Sequence, residues 1–158
     1  MSVTLHTTLG DVKIELFCEA VPRAAENFLG LCASGAYDSV KWHRNMKGFM
    51  IQTGDPSGTG KGGQSIWGEP FADEIRATLK FHARGVVAMA NNVPNSNRSQ
   101  PHLDGRYTII GKVIDGAEPG GTLDAMESAP VDAKHRPLEA ICMTGVTVHA
   151  NPIAQQAL

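Results

Sequence analysis

The stretch YDSVKWHRNMKGFMIQTG, residues 37–54, decides how this chain is read. It holds two short extended runs, at 40–43 and 49–53, parted by polar residues around Lys47-Gly48. Short runs rich in β-formers and bounded by turn residues predict strands. Consecutive strand residues point to opposite faces, so Met50 and Gln52 share one face and Phe49 takes the other. Residues 54–63, just beyond, are too rich in glycine for regular structure.

Outward from this stretch the pattern stays β. Val3, Leu5 and Thr7 alternate with Thr4 and His6, and Val12, Ile14 and Leu16 alternate with Lys13 and Glu15 beyond Leu9-Gly10-Asp11. This predicts an antiparallel hairpin with one buried face. Pro22 suits a first helical turn, Val21, Ala25, Phe28, Leu29 and Cys32 recur at helical spacing, and Gly35 suits a stop. A helix over 22–33 follows. Further strands are predicted at 85–90 (a buried one), 107–114 and 146–149, with a polar loop over 91–100. A second helix is predicted over 122–128, with Thr122 as its cap. No repeat, linker or composition break divides residues 1–158, so one domain is expected. Many short strands with two helices predict a mainly β, closed or nearly closed antiparallel barrel.

Composition narrows the function. The 158 residues carry 14 Lys+Arg against 16 Asp+Glu, a formal charge of −2. A dedicated nucleic-acid binder should carry a basic excess instead. Three scattered cysteines, Cys18, Cys32 and Cys142, form neither a disulfide framework nor a zinc motif. The N-terminus alternates and carries charge, unlike a signal peptide, and no apolar run nears the roughly 20 residues of a membrane span. An intracellular protein without membrane contact is expected.

Two catalytic motifs fail on inspection. Gly58-Thr59-Gly60-Lys61-Gly62-Gly63 fits a dinucleotide-binding glycine pattern by letter, but no helix opening follows it. It also fails as a phosphate loop, because Asp55 stands at the first glycine and Gly62 at the magnesium-binding hydroxyl. No histidine pair has helical zinc spacing, and no nucleophile elbow is present.

The 37–54 stretch resembles the signature of the cyclophilins, the peptidyl-prolyl cis-trans isomerases, at every fixed position except Trp42, where that family usually has Phe or Val. The resemblance continues through GKGGQSIW (60–67), Met89-Ala90-Asn91-Asn92, Asn95-Ser96-Asn97 and Leu103-Asp104-Gly105. The first hairpin, Pro101-His102-Leu103-Asp104 and the ending His149-Ala150-Asn151-Pro152 are most similar to small, single-domain, spliceosome-associated cyclophilin-like members. It implies an eight-stranded antiparallel barrel capped by two helices, and isomerisation of Xaa–Pro bonds without cofactor or metal. It implies proline-containing peptides and proteins as partners, spliceosomal proteins among them. A monomer in the cytoplasm, the nucleus or both is expected.

The resemblance also implies roles. Arg44 is the catalytic group. Phe49, Met50 and Leu103 line the proline-ring pocket. Gln52, Ala90, Asn91 and Gln100 hold the peptide, and Gly60 borders a neighbouring specificity pocket. Arg suits the work, since it keeps its charge and offers a rigid fork of donors.

One departure is large. Asn97-Arg98-Ser99-Gln100 runs straight into Pro101-His102, where the family has a barrel strand with two adjacent aromatics. About eight residues are absent on this comparison, and one lost aromatic forms the floor of the ring pocket. This predicts a barrel short of one strand and an activity reduced accordingly. The alternative reading is a catalytically weak module that binds proline peptides or a spliceosomal partner. His102 and Tyr107 replace a Trp and a His of cyclosporin-binding members, so weak cyclosporin binding is expected.

Overall fold

The computed structural model describes residues 1–90 and 104–149. Strand β1 (Ser2–Thr7) and strand β2 (Gly10–Leu16) form the predicted hairpin. They pair antiparallel, with Val3 opposite Ile14 and Leu5 opposite Val12. All four of these side chains are buried, so the alternation read in the sequence is the alternation of core and outer face. Helix α1 (Pro22–Ala33) follows, then strands β3 (Arg44–Met46) and β4 (Met50–Gln52). Strand β5 (Val86–Ala88), strand β6 (Ile109–Asp115), helix α2 (Thr122–Glu127) and strand β7 (Met143–His149) complete the order.

The architecture is mainly β and antiparallel, with two helices. One sheet runs β5-β6-β2-β1-β7, and β3-β4 forms a second, two-stranded sheet. The segment leading into β3 joins them. Lys41 bridges Cys142, the Trp42 amide donates to the Ile141 carbonyl (2.8 Å), and the Met143 amide donates to the Val40 carbonyl (2.9 Å). At Gly111 any side chain would strike the Glu15 carbonyl of the neighbouring strand, so β6 approaches β2 only because that position is glycine.

Helix α1 lays Ala24, Ala25, Phe28, Leu29 and Cys32 on the core built by Val3, Leu5, Val12, Ile14, Ile110 and Met143. Each large side chain of that face contributes about 1.5–3 kcal/mol by leaving water. Burial pushes the Cys32 thiol up to about 12, which leaves it an inert core residue. All three cysteines are free; Cys32 is buried, and Cys18 and Cys142 are half-buried. The α1 N-terminus has no side-chain cap of its own, because Val21 holds the cap position. Glu74 caps it from a distance, its carboxylate accepting from the amides of Ala24 (2.8 Å) and Arg23 (3.3 Å).

Several expectations are corrected. The strand predicted at 40–43 is a single bridge at Lys41, and β3 begins at Arg44. Val40, Trp42 and His43 are all buried, so this run lacks the one-sided exposure of a surface strand. The strand at 85–90 shortens to Val86–Ala88 and is half-buried where a buried strand was expected. Thr122 does not cap α2. Gly121 holds the cap position, and the Thr122 hydroxyl donates to the Asp11 carbonyl (2.7 Å), tying the helix to β2. The stretch where about eight residues are lacking lies outside the described residues. Among the described residues, no helix is long and apolar enough to cross a membrane.

Candidate active site

The β3–β4 hairpin carries four of the predicted residues, Arg44, Phe49, Met50 and Gln52. Its register sets Arg44 opposite Gln52, Asn45 opposite Ile51 and Met46 opposite Met50. Directly opposed residues share a face, so Arg44, Met46, Met50 and Gln52 form one patch. Asn45 and Ile51 take the other face, toward the core: Asn45 is buried and Ile51 packs against the core cluster. Arg44, Met50 and Gln52 are each half-buried, so each is supported from behind and reachable from outside. No ion pair among the described residues involves Arg44.

Phe49 lies in the turn of this hairpin, not in a strand. Gly48 takes a left-handed φ of 75°, and the Phe49 amide donates to the Met46 carbonyl (2.9 Å). The pleat rule that would send Phe49 away from Met50 therefore does not apply at this strand end. Two contacts brace the hairpin from behind. The buried Asn45 amide group donates to the Met126 carbonyl (2.6 Å), and the Glu127 carboxylate accepts from the Gly48 amide (3.1 Å). Neither residue was singled out in the sequence, because both act through the packing of α2.

Gly60 is exposed and left-handed, with φ 83°. A methyl group there would stand 3.5 Å from the His43 imidazole, so Gly60 lies over the residue preceding Arg44. Burial lowers the His43 pKa, the Asp55 carboxylate opposes that, and the Arg136 and Arg44 cations reinforce it. The buried Nδ1 of His43 and Oδ1 of Asn45 make no hydrogen bond to the described residues. Ala90 is exposed, two residues beyond β5, and no hydrogen bond ties it to the hairpin. Asn91, Gln100 and Leu103 lie outside the described residues.

Asp55 organises the glycine loop, and sequence reading missed it. Its carboxylate accepts from the amides of Ser57 (2.8 Å), Gly60 (2.6 Å) and Gly62 (3.1 Å), and from the Ser57 hydroxyl (2.7 Å). Burial alone would raise this carboxyl, but the Ser57 hydroxyl and the three amides outweigh it and hold it well below the ordinary range. The amides that a phosphate would need are already turned on the chain's own anion. The failure of the nucleotide motif therefore has a structural cause, and an Asp followed by glycines was the one signal that pointed to it.

Among the described residues, no group of three or more His, Cys, Asp or Glu could hold a metal ion. The site thus offers a cation, an amide side chain and a thioether on one strip of surface beside a glycine loop. That set can bind and polarise a peptide; it presents no activated nucleophile.

The family described as "Cyclophilin type peptidyl-prolyl cis-trans isomerase/CLD" matches residues 2–148. The chain is 72% identical to "Peptidyl-prolyl cis-trans isomerase-like 3" of Mycosarcoma maydis, over 99% of this chain and 98% of the relative. It is 57% identical to the human protein of the same name, over 98% of this chain and all of the relative. The two alignments span 165 and 164 residues against the 158 of this chain, so both relatives carry residues that it lacks. A crystal structure of a cyclophilin-type isomerase from Cryptosporidium parvum, determined in the presence of the dipeptide Ala-Pro, superposes with a TM-score of 0.85. It is 46% identical and covers 96% of this chain and all of that one. By sequence and by fold, the chain belongs to the cyclophilin-type peptidyl-prolyl cis-trans isomerases.

Proposed function

We propose that this chain accelerates cis–trans isomerisation of Xaa–Pro bonds through Arg44, without a cofactor. The observation that carries the reading is the single patch of Arg44, Met50 and Gln52 on the β3–β4 hairpin.

Rotation about a peptide bond must break amide resonance, across a barrier of about 20 kcal/mol. No bond is made, so what is needed is tighter binding of the twisted amide than of the planar one. A 10⁵-fold gain requires about 7 kcal/mol of such differential binding. The Arg44 guanidinium donates to the carbonyl of the substrate proline and approaches the proline nitrogen, whose lone pair localises as resonance is lost. Phe49 and Met50 border the proline ring, with Leu103 completing its pocket. Gln52 holds the peptide beside Arg44. Ala90, Asn91 and Gln100 take the extended backbone, as an added strand is held.

The clients we infer are proline-containing proteins, spliceosomal ones among them, met in the cytoplasm or nucleus by a monomer. The support is the resemblance of the hairpin and C-terminal residues to the spliceosome-associated group. Catalysed exchange of an Ala-Pro peptide, followed by NMR with the purified chain, tests the enzyme reading. Acceleration that disappears in Arg44→Ala is the expected result. A folded protein that binds the peptide without accelerating exchange would favour the binding-module reading instead, with the residues missing relative to its kin as the cause.

A further inference from the structure

Residues 135–141 run alongside the approach to β3. The Asn45 amide donates to the His135 carbonyl (2.7 Å), and the Trp42 amide donates to the Ile141 carbonyl (2.8 Å). Arg136 stands between these two anchors. Its guanidinium turns to the glycine loop, Nη1 donating to the Gly58 carbonyl (3.1 Å) and Nη2 to the Thr59 carbonyl (3.3 Å).

The base of that side chain is fixed. The Asp132 carboxylate accepts from the amides of Lys134 (2.8 Å) and Arg136 (3.0 Å), and the Asp132 amide donates to the Arg136 carbonyl (2.9 Å). His135 is held left-handed, with φ 61°. The loop being gripped has its other side fixed by Asp55. Carbonyls and amides of 57–62 are thus held by two different partners, one of them from a segment also bonded to β3. A planar fork reaches two successive carbonyls where an ammonium offers a single point charge.

We propose that Arg136 is a positioning residue that fixes the glycine loop relative to Arg44, and so sets selectivity for the peptide residues preceding the isomerising bond. This rests on reading Arg44 and Gly60 as parts of one peptide site. The geometry gives it a specific reach. Gly60 follows the two carbonyls held by Arg136 and lies over His43, the neighbour of Arg44. A shift of the loop changes the room beside the peptide while leaving the Arg44–Gln52 pair on its own hairpin.

The test uses four peptides, Gly-Ala-Pro, Ala-Ala-Pro, Leu-Ala-Pro and Phe-Ala-Pro. Affinity is read from amide chemical-shift titration, and kcat and KM from NMR exchange, in wild type, Arg136→Ala, Arg136→Lys and Arg44→Ala. The expected result is a wild-type ranking across the four peptides that Arg136→Ala flattens. KM for the preferred peptide rises about tenfold, the size of one lost charge-donated hydrogen bond, while kcat stays within about twofold. Arg136→Lys recovers only part of the ranking. Should Arg136→Ala not fold, the Lys variant decides. A ranking unchanged by either variant, or a flat ranking in wild type, overturns the proposal. Absence of catalysed exchange in wild type would instead count against the enzyme reading, while the affinity ranking still judges Arg136.

Discussion

Arg44 and Gln52 stand directly opposite each other on the β3–β4 ladder, and so project from the same face of the hairpin. Directly opposed side chains on one face interact with each other. Arg44→Ala is expected to lower kcat/KM about 100-fold, the scale of losing one transition-state donor. Gln52→Ala is expected to lower it about tenfold in wild type and by much less in the Arg44→Ala background, because contacting residues are not additive. A double-mutant cycle measured by NMR exchange checks this. Strict additivity would mean that the two residues serve the peptide independently.

Asp55 is expected to control the glycine loop through its charge. Asp55→Ala removes the acceptor for three amides and is expected to cost about 1–3 kcal/mol. The sign of the pH dependence follows from the depressed carboxyl, whose ordinary value is 3.8. Its stabilisation is complete well above that value and is lost as pH falls through the lower folded-state pKa. The Tm difference between wild type and Asp55→Asn should therefore be constant from about pH 5 to pH 7 and shrink below about pH 4. Melting curves over that range check it; a difference that grew on acidification would contradict the carboxylate cradle.

Glu74 separates stability from activity. Its carboxylate caps α1 across 50 positions of sequence, so Glu74→Ala is expected to cost about 1 kcal/mol. For a chain of this size that is a fall in Tm of about 2–4 °C. The isomerase kcat/KM should stay within about twofold, since the cap touches none of the hairpin residues. Thermal melts beside exchange kinetics check both halves.

The bounds of α1, Pro22–Ala33, were legible because local signals agreed: a first-turn proline, an apolar face and a following glycine. The hairpin of β1 and β2 was legible because a period of two survives wherever one face is wet. The cap on α1 was not, because it comes from Glu74, and nothing near Val21 records it. The strand at 40–43 misled because Val40, Trp42 and His43 are all buried while only Lys41 makes a bridge, so β-forming residues there mark burial and not a ladder. Arg44, Met50 and Gln52 were placed by motif resemblance; the period of two put Met50 and Gln52 on one face, and only the ladder register adds Arg44 to it. Glu127 and Arg136 escaped notice because each acts on backbone groups far along the chain, whereas Asp55 acts on amides within seven residues and left only the local signal of an Asp followed by glycines.

Glu127 holds the turn that carries Phe49. One carboxylate oxygen accepts from the Gly48 amide (3.1 Å) and the other from Arg84 (2.6 Å), which also reaches Asp124 (2.7 Å). The Arg84 guanidinium first, and the Gly48 amide second, hold this carboxyl below its ordinary 4.5. The brace is therefore present above about pH 4.5 and is lost as pH falls through the lower folded-state value. Glu127→Ala should free the Gly48 amide, speed its hydrogen exchange and raise KM about three- to tenfold, with kcat changed less, if Phe49 and Met50 border the ring as proposed and not the twisting bond. Glu127→Gln keeps an acceptor for Gly48 but drops the charge paired with Arg84, so its KM should fall between the two. Unchanged Gly48 exchange in Glu127→Ala, alongside a raised KM, would place the effect elsewhere than the hairpin turn.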